Sequence, residues 1–322
     1  MTYLLRVGQD AQTVLAEGSI AALSPAVAFA NPTAGSGQAV NAVPQIRAVF
    51  NSHSISAEFV STASSAELES GARRAIAQGT KGLFAIGGDG TFQGLVNAAC
   101  GAEVILGVLP AGGGNDFASA LQIPDDPVAA ATLLLQGRVV RVDLARARTA
   151  DGRERLYLGG GGVGIDVDAA RHASETFRRL PGRSRYIAAA LRALCGFKPI
   201  GLRAEFPKND LPAIEIKALL GAVLNTPTYA AGIRLAPDAQ LFDGLLDAVI
   251  VEDLGLLRVL ALLPRLARTG ELRTSRIHRA RAQAVRLTTD RPCLFHGDGE
   301  ILGPTPVEIE VVPQAIQILA PR

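Results

Sequence analysis

The sequence predicts two domains: an N-terminal α/β domain, three-layered around a mainly parallel sheet, and a mainly β C-terminal sandwich. Three observations carry that prediction. The chain has 322 residues, long for one ordinary domain and comfortable for two. From Pro25 to about Gly137 short apolar runs alternate with helical patterns, the rhythm of strands joined by crossover helices. After Gly137 the texture changes to closely spaced apolar strands punctuated by Pro and Gly, which suggests antiparallel pairing. The domains are therefore expected at 1–137 and 138–322.

In the first domain, strands are expected near 26–30, 56–61, 82–87 and 104–109, with helices near 38–51, 66–78, 91–99 and 127–136. Residues 1–24 are weakly patterned and are read as an extra strand or hairpin. In the second domain, strands are expected over 138–144, 155–159, 214–220, 246–251 and 307–312. Helical patterns interrupt them near 166–178, 184–195 and 254–269. No internal repeat or low-complexity tract is present.

Three strands of the first domain empty into glycine-bearing loops. Ala26–Ala30 runs into Asn31-Pro32-Thr33-Ala34-Gly35-Ser36-Gly37, Gly82–Ile86 into Gly87-Gly88-Asp89-Gly90-Thr91, and 104–109 into Pro110-Ala111-Gly112-Gly113-Gly114-Asn115-Asp116. Loops leaving the carboxyl ends of parallel strands converge on one edge, and bare backbone N–H groups at a helix N-terminus suit phosphate oxygens. An anionic phosphate ligand is the first expectation. Gly87, Gly88 and Gly90 would let backbone approach phosphate, and the Thr91 hydroxyl could donate to it. Asp89 suits holding magnesium or orienting an acceptor, or else caps the helix that follows. Asn31 either closes an Asx-turn or meets the nucleotide, and Asn115 with Asp116 either caps a helix or faces the site. No Walker loop is present, and the only lysines are at 81, 198, 208 and 217.

These segments, with Asn31-Pro32-x-x-Gly35-x-Gly37, Gly87-Gly88-Asp89-Gly90-Thr91 and Leu109-Pro110-x-Gly112-x-x-Asn115-Asp116-Phe117-Ala118 in order, resemble the motifs of the diacylglycerol-kinase-type lipid kinases, which include sphingosine and ceramide kinases. Leu235-Ala236-Pro237-Asp238, Asp243-Gly244-x-x-Asp247 and Asp298-Gly299-Glu300 resemble the second-domain motifs of that family. The resemblance runs from about residue 25 to the end. It implies ATP and magnesium as cofactors, with the nucleotide held by Asn31, Gly87, Gly88, Asp89, Gly90, Thr91, Gly112, Gly113, Asn115 and Asp116. It implies that Glu300 is the general base for a lipid hydroxyl, supported by Asp298, with Asp89 contributing to catalysis. It implies a structural magnesium on Asp243 with the carbonyls of Gln240 and Leu245, and a C-terminal segment that returns to the first domain. One departure stands out: family members often carry Thr two residues before the loop Asn, where this chain has Gly113.

The expected reaction is transfer of the γ-phosphate of ATP to a hydroxyl of diacylglycerol or a related lipid. Two other readings are a soluble kinase of NAD type, which shares the Gly-Gly-Asp-Gly-Thr loop, and a lipid-binding protein with a degenerate nucleotide cleft. The formal charge of +2 gives no case for nucleic acid. Locally, eight arginines lie between 265 and 291 against Glu271 and Asp290, and six arginines plus Lys198 lie between 171 and 198 against Glu175. These stretches fit either peripheral contact with an anionic membrane surface or a solvated basic face. Lipid substrate and membrane surface are the expected partners, and a homodimer is left open. Cys100, Cys195 and Cys293 have neither disulfide nor metal spacing, in keeping with a reducing cytoplasm. Ala28-Phe29-Ala30 imitates a signal-peptidase site, but Asp10 and Glu17 interrupt the preceding stretch, so no secretory signal is expected.

Overall fold

The computed structural model of the chain describes residues 12–13, 20–177, 182–230, 232–255, 258, 261–262, 269 and 274–322. The chain folds as two compact units, Met1–Asp143 with Pro313–Arg322, and Leu144–Val312.

The first unit holds β1 (Gln12–Thr13), β2 (Ala26–Ala30), α1 (Gln38–Asn41), α2 (Val43–Ser52), β3 (Ala57–Ser61), α3 (Ser65–Ala77), β4 (Gly82–Gly87), α4 (Asp89–Ala99), β5 (Ile105–Pro110), α5 (Asp116–Ala120), α6 (Pro127–Leu134) and the start of β6 (Arg138–Thr149). Strands β2 and β4 are buried at every residue, as continuous apolar runs in a parallel sheet covered on both faces must be. The expected helix 38–51 is two helices, because Pro44 begins a new one in the first turn of α2. Ser64 accepts from the Glu67 N–H at 3.2 Å while Glu67 Oε2 takes the Ala63 N–H at 2.8 Å, a reciprocal cap that fixes the start of α3. Asp126 caps α6 and Pro127 follows it. Phe50 of α2 packs edge-on to Phe84 of β4 with ring centroids 4.7 Å apart, and each such buried ring contributes about 1.5–3 kcal/mol.

Strand order in this sheet is β16-β5-β4-β2-β3, where β16 (Val307–Ala320) contributes its 313–320 part, and these pairings are parallel. From β2 the chain moves outward to β3, then crosses back to place β4 on the other side of β2. That reversal makes the carboxyl ends of β2 and β4 a topological switch point, where open α/β sheets bind ligands.

The second unit contains the rest of β6, then β7 (Glu154–Tyr157), β8 (Gly160–Gly164), α7 (Ile165–Glu175), α8 (Gly182–Leu194), β9 (Ile200–Glu205), β10 (Ile214–Leu224), β11 (Leu246–Glu252), β12 (Ile277–Ala282), β13 (Ala284–Thr289), β14 (Leu294–Gly297), β15 (Glu300–Pro304) and residues 307–312 of β16. Its pairings are antiparallel. Strand β10 pairs with β9 through its first half and β8 through its second, and it also pairs with β11, in a ladder whose register breaks between Ala218 and Leu220. The strands enclose two apolar clusters, one including Tyr157, Phe206 and Phe295 and the other Leu224, Leu235 and Val249. This is the expected β-sandwich. The helix expected over 254–269 falls mostly outside the described residues. Among the described residues no helix is long and apolar enough to cross a membrane.

Candidate active site

At the switch point of the first unit, three loops interlock. Asn31 follows β2, and its Oδ1 accepts from the Thr33 N–H at 3.0 Å and the Thr33 hydroxyl at 2.8 Å, closing an Asx-turn. Its Nδ2 donates to Thr91 Oγ1 at 3.2 Å, joining the loop after β2 to the first turn of α4. The Ala111 N–H donates to the Gly87 carbonyl at 2.8 Å, joining the loops after β4 and β5. Gly88 and Gly112 meet backbone to backbone: a Cβ on Gly112 would lie 2.6 Å from Gly88 Cα and 2.9 Å from Asn115 Oδ1. Gly112 is therefore required by loop-on-loop contact before any ligand arrives, whereas a Cβ on Gly88 would lie 3.3 Å from Gly112 Cα and ask only a small shift. Gly90 is exposed in the first turn of α4, and Gly113 extends the loop after β5.

Asp89 is the first residue of α4, behind Gly88, which has no side chain to cap the helix. Its carboxylate reaches across instead and accepts the N–H groups of Asp116 at 3.2 Å and Phe117 at 3.3 Å. It thus caps α5. Asn115, 5% exposed and held at φ 56°, donates through Nδ2 to the Gly112 carbonyl at 3.1 Å and to Asp125 Oδ1 at 3.2 Å. Its Oδ1 is buried without a hydrogen-bond partner. An acceptor stranded in this position, beside the N-terminus of α4, fits a ligand that brings a donor. Asp125 was not anticipated from the sequence, where it reads as an ordinary turn residue before the Asp126 cap.

In the second unit, Asp298 and Gly299 form the two-residue connection of the β14–β15 hairpin, with φ of 49° and 86°, the left-handed pair such a loop favours. The Asp298 carboxylate accepts three consecutive backbone N–H groups, Leu158 at 2.7 Å through Oδ2, Gly159 at 2.9 Å and Gly160 at 3.2 Å through Oδ1. Burial pushes its pKa up to about 6, against the downward pull of those donors. Asp298 therefore ties the hairpin to the β7–β8 connection, and Glu300 follows as the first residue of β15. Glu300 Oε2 receives a hydrogen bond from Arg155 Nη2 at 3.2 Å, with side chains 40% and 25% exposed.

On strand β14, His296 places Nε2 2.9 Å from Asp166 Oδ2 and 2.9 Å from the Tyr229 hydroxyl, which donates to the same Asp166 oxygen at 2.8 Å. Burial, followed by the charge of Asp166, raises the Tyr229 pKa well above its ordinary value. His296 Nδ1 is buried without a hydrogen-bond partner. Gly162 allows the closeness of this cluster, since a Cβ there would collide with Asp166 Oδ2. Asp166 opens α7 after the glycine strand β8, the same strand-to-glycine-to-helix form as the first-unit loops. That form was the one signal that could have found it, whereas Tyr229, Arg155 and the role of His296 had none.

The Asp243 loop holds the residues expected to bind a metal ion. Asp243 Oδ1 accepts the Leu245 N–H at 3.0 Å, and Oδ2 is ion-paired with Arg281, while Gln240 is exposed nearby in the same loop. Several arginines of the 265–291 stretch are likewise engaged within the unit: Arg276 with Glu252, Arg279 with the Leu235 carbonyl, Arg286 with Glu308, and Arg291 with the Lys198 carbonyl.

Residues 25–147 match the family described as the diacylglycerol kinase catalytic domain, and residues 161–320 match the YegS C-terminal NAD kinase beta sandwich-like domain. A diacylglycerol kinase of Mycobacterium tuberculosis (strain CDC 1551 / Oshkosh) is 28% identical over 296 residues, covering 92% of this chain and 94% of that protein. One from Staphylococcus aureus (strain MRSA252) is 28% identical over 296 residues, covering 91% of each. A crystal structure of a diacylglycerol kinase from Bacillus anthracis str. Sterne shares the fold, with a TM-score of 0.67 at 20% identity over 92% of this chain and 96% of that one. With both domain types in order along nearly its whole length, the chain belongs to the diacylglycerol-kinase-type lipid kinases, phosphotransferases that act on an alcohol group.

Proposed function

We propose that the protein transfers the γ-phosphoryl group of ATP, with magnesium, to the hydroxyl of a glycerolipid, diacylglycerol being the first candidate. The observation that carries this reading is the convergence of the Asn31, Gly87–Thr91 and Gly112–Asn115 loops at the switch point of a parallel sheet, in a chain of this family. Bound there, ATP would supply the transferable phosphoryl group. Thr91 and the backbone of Gly87, Gly88, Gly90, Gly112 and Gly113 would hold its phosphates, and the orphaned Asn115 Oδ1 would accept a donor from the nucleotide. Asn31 keeps the loops in register, and Asp116 begins the helix whose N–H groups Asp89 secures. Asp89 also offers a hard oxygen for the metal ion.

In the second unit, Glu300 takes the proton from the lipid hydroxyl, Arg155 orients it, and Asp298 fixes the turn that carries it. General-base assistance of this kind contributes roughly 10²–10⁴-fold. The lipid reaches the site from a membrane that the protein contacts peripherally. The chain's resemblance to lipid kinases over both domains favours this over a soluble NAD-type kinase or a protein that binds lipid without turnover.

The test is incubation with γ-labelled ATP and magnesium in parallel arms, one with diacylglycerol vesicles and one with NAD. Label is expected in phosphatidic acid and in nothing derived from NAD, and Asp89→Asn is expected to lose most of that label. Label on NAD, or vesicle binding with no labelled product, would replace this reading with one of the alternatives.

A further inference from the structure

The Asp243 loop carries an inference independent of the catalytic reading. The family resemblance calls for a divalent cation on Asp243, yet a cation belonging to the chain already sits there. Arg281 stands on β12 directly opposite Asp247 of β11 in the antiparallel register, so its starting point is set by the sheet. From there its guanidinium pairs with Asp243 Oδ2 through Nη2 and lies 3.4 Å from Asp247 Oδ2 through Nε. Asp247 is 5% exposed, and because Arg281 Nε and Asp247 Oδ2 are both buried without a hydrogen-bond partner, the guanidinium meets Asp247 by charge alone while its Nη2 bonds the loop carboxylate. The remaining Asp243 oxygen is turned inward to the Leu245 N–H at 3.0 Å. Among the described residues no group of three or more His, Cys, Asp or Glu side chains is arranged to hold a metal ion.

We propose that Arg281 is the resident counter-cation of the Asp243–Asp247 pair and takes the place of a structural divalent ion, so that the fold of the second unit does not depend on magnesium or calcium. The charge arithmetic supports this. Two carboxylates that face the same guanidinium need positive charge, and a guanidinium anchored on the neighbouring strand supplies it without the loss of hydration that magnesium resists. The same pairing blocks a competing ion, because a divalent ligand set would have to displace Arg281 from Asp243 and leave it with Asp247 alone.

Thermal unfolding of the full chain, stripped with EDTA and then measured with EDTA, with millimolar magnesium or with millimolar calcium, tests the proposal. The wild-type midpoint is expected to be the same in all three. A midpoint that falls in EDTA and returns with either ion overturns it. Arg281→Gln is expected to lower the midpoint by roughly 2–6 °C and to recover part of that loss in magnesium, because its two carboxylates then face an ion alone. An Arg281→Gln midpoint equal to wild type would also overturn it. Should that variant fail to fold, magnesium titration calorimetry on wild type and Asp243→Asn decides: a site present in the first and absent in the second contradicts the proposal, and identical isotherms support it.

Discussion

The glycine loops of the first unit and the acidic hairpin of the second use carboxylates in one way and differ in what they leave available. In the first unit Asp89 is tied to the N–H groups of Asp116 and Phe117, and Asn31 is tied to Thr33 and Thr91. In the second, Asp298 is tied to three N–H groups, while the neighbouring Glu300, partly exposed, is paired with the Arg155 side chain. Residues that a motif groups together thus divide into those that build the turn and those it presents. A carboxylate holding several backbone donors is a strut, and one held by a single side chain is the one the proposed reaction needs as its base.

The comparison breaks most visibly at Glu300. Glu300→Gln keeps size and hydrogen bonding to Arg155 but removes the base, so phosphoryl transfer is expected to fall by roughly 10²–10⁴-fold with an unchanged unfolding midpoint, read by labelled-product formation and calorimetry. Equal losses of activity and stability would place Glu300 among the struts.

Asp298→Asn is expected to do the reverse, costing about 1–3 kcal/mol of stability by turning an amide N–H₂ toward at least one of three backbone donors, the Leu158 N–H where the oxygen keeps the other two. Its pH signature sharpens the distinction. With a folded pKa of about 6 against roughly 3.9 unfolded, Asp298 keeps its proton in the native state where the unfolded chain has lost it, so its contribution is greatest at low pH and declines as pH rises through 6. Urea unfolding between about pH 4 and 7 is expected to show this decline in wild type and a flatter profile in the variant.

Gly112→Ala tests the loop interlock. A Cβ 2.6 Å from Gly88 Cα meets backbone that cannot rotate away, so a loss of about 1–3 kcal/mol is expected in denaturant unfolding, with weaker nucleotide binding. The smallest effect is expected at Arg155. Arg155→Ala removes a partly exposed ion pair worth less than about 1 kcal/mol, leaving unfolding nearly unchanged while lowering kcat by letting Glu300 wander.

Much of this organisation was legible in the sequence because it rests on local chemistry. Continuous apolar runs ending in glycine marked β2, β4 and β5, and Asp298-Gly299 is itself a hairpin signal. Extents were less legible where tertiary pairing overrides a local stop. The strand read as 307–312 continues through Pro313 to Ala320, because Gln317 and Ile318 pair with β5 at the far end. The glycine strand β8 was missed because three glycines in a row, Gly160 to Gly162, have no strand propensity of their own, and they are strand only because β10 and β14 flank them. Long-range roles were illegible for the same reason. Nothing local says that Asp89 caps a helix 27 residues on, or that His296 meets Asp166 and Tyr229.

Strand β16 has a consequence for how the molecule comes into being. Its 313–320 part completes the parallel sheet of the first unit, yet it emerges only after the entire second unit has been synthesised. Until then β5 lies open along one side, a wholly apolar Ile-Leu-Gly-Val-Leu-Pro segment with unpaired backbone groups, the kind of edge that invites another chain to dock. The nascent protein therefore carries a sticky seam through most of its translation, and shortening the tail should turn a transient hazard into a permanent tendency to clump.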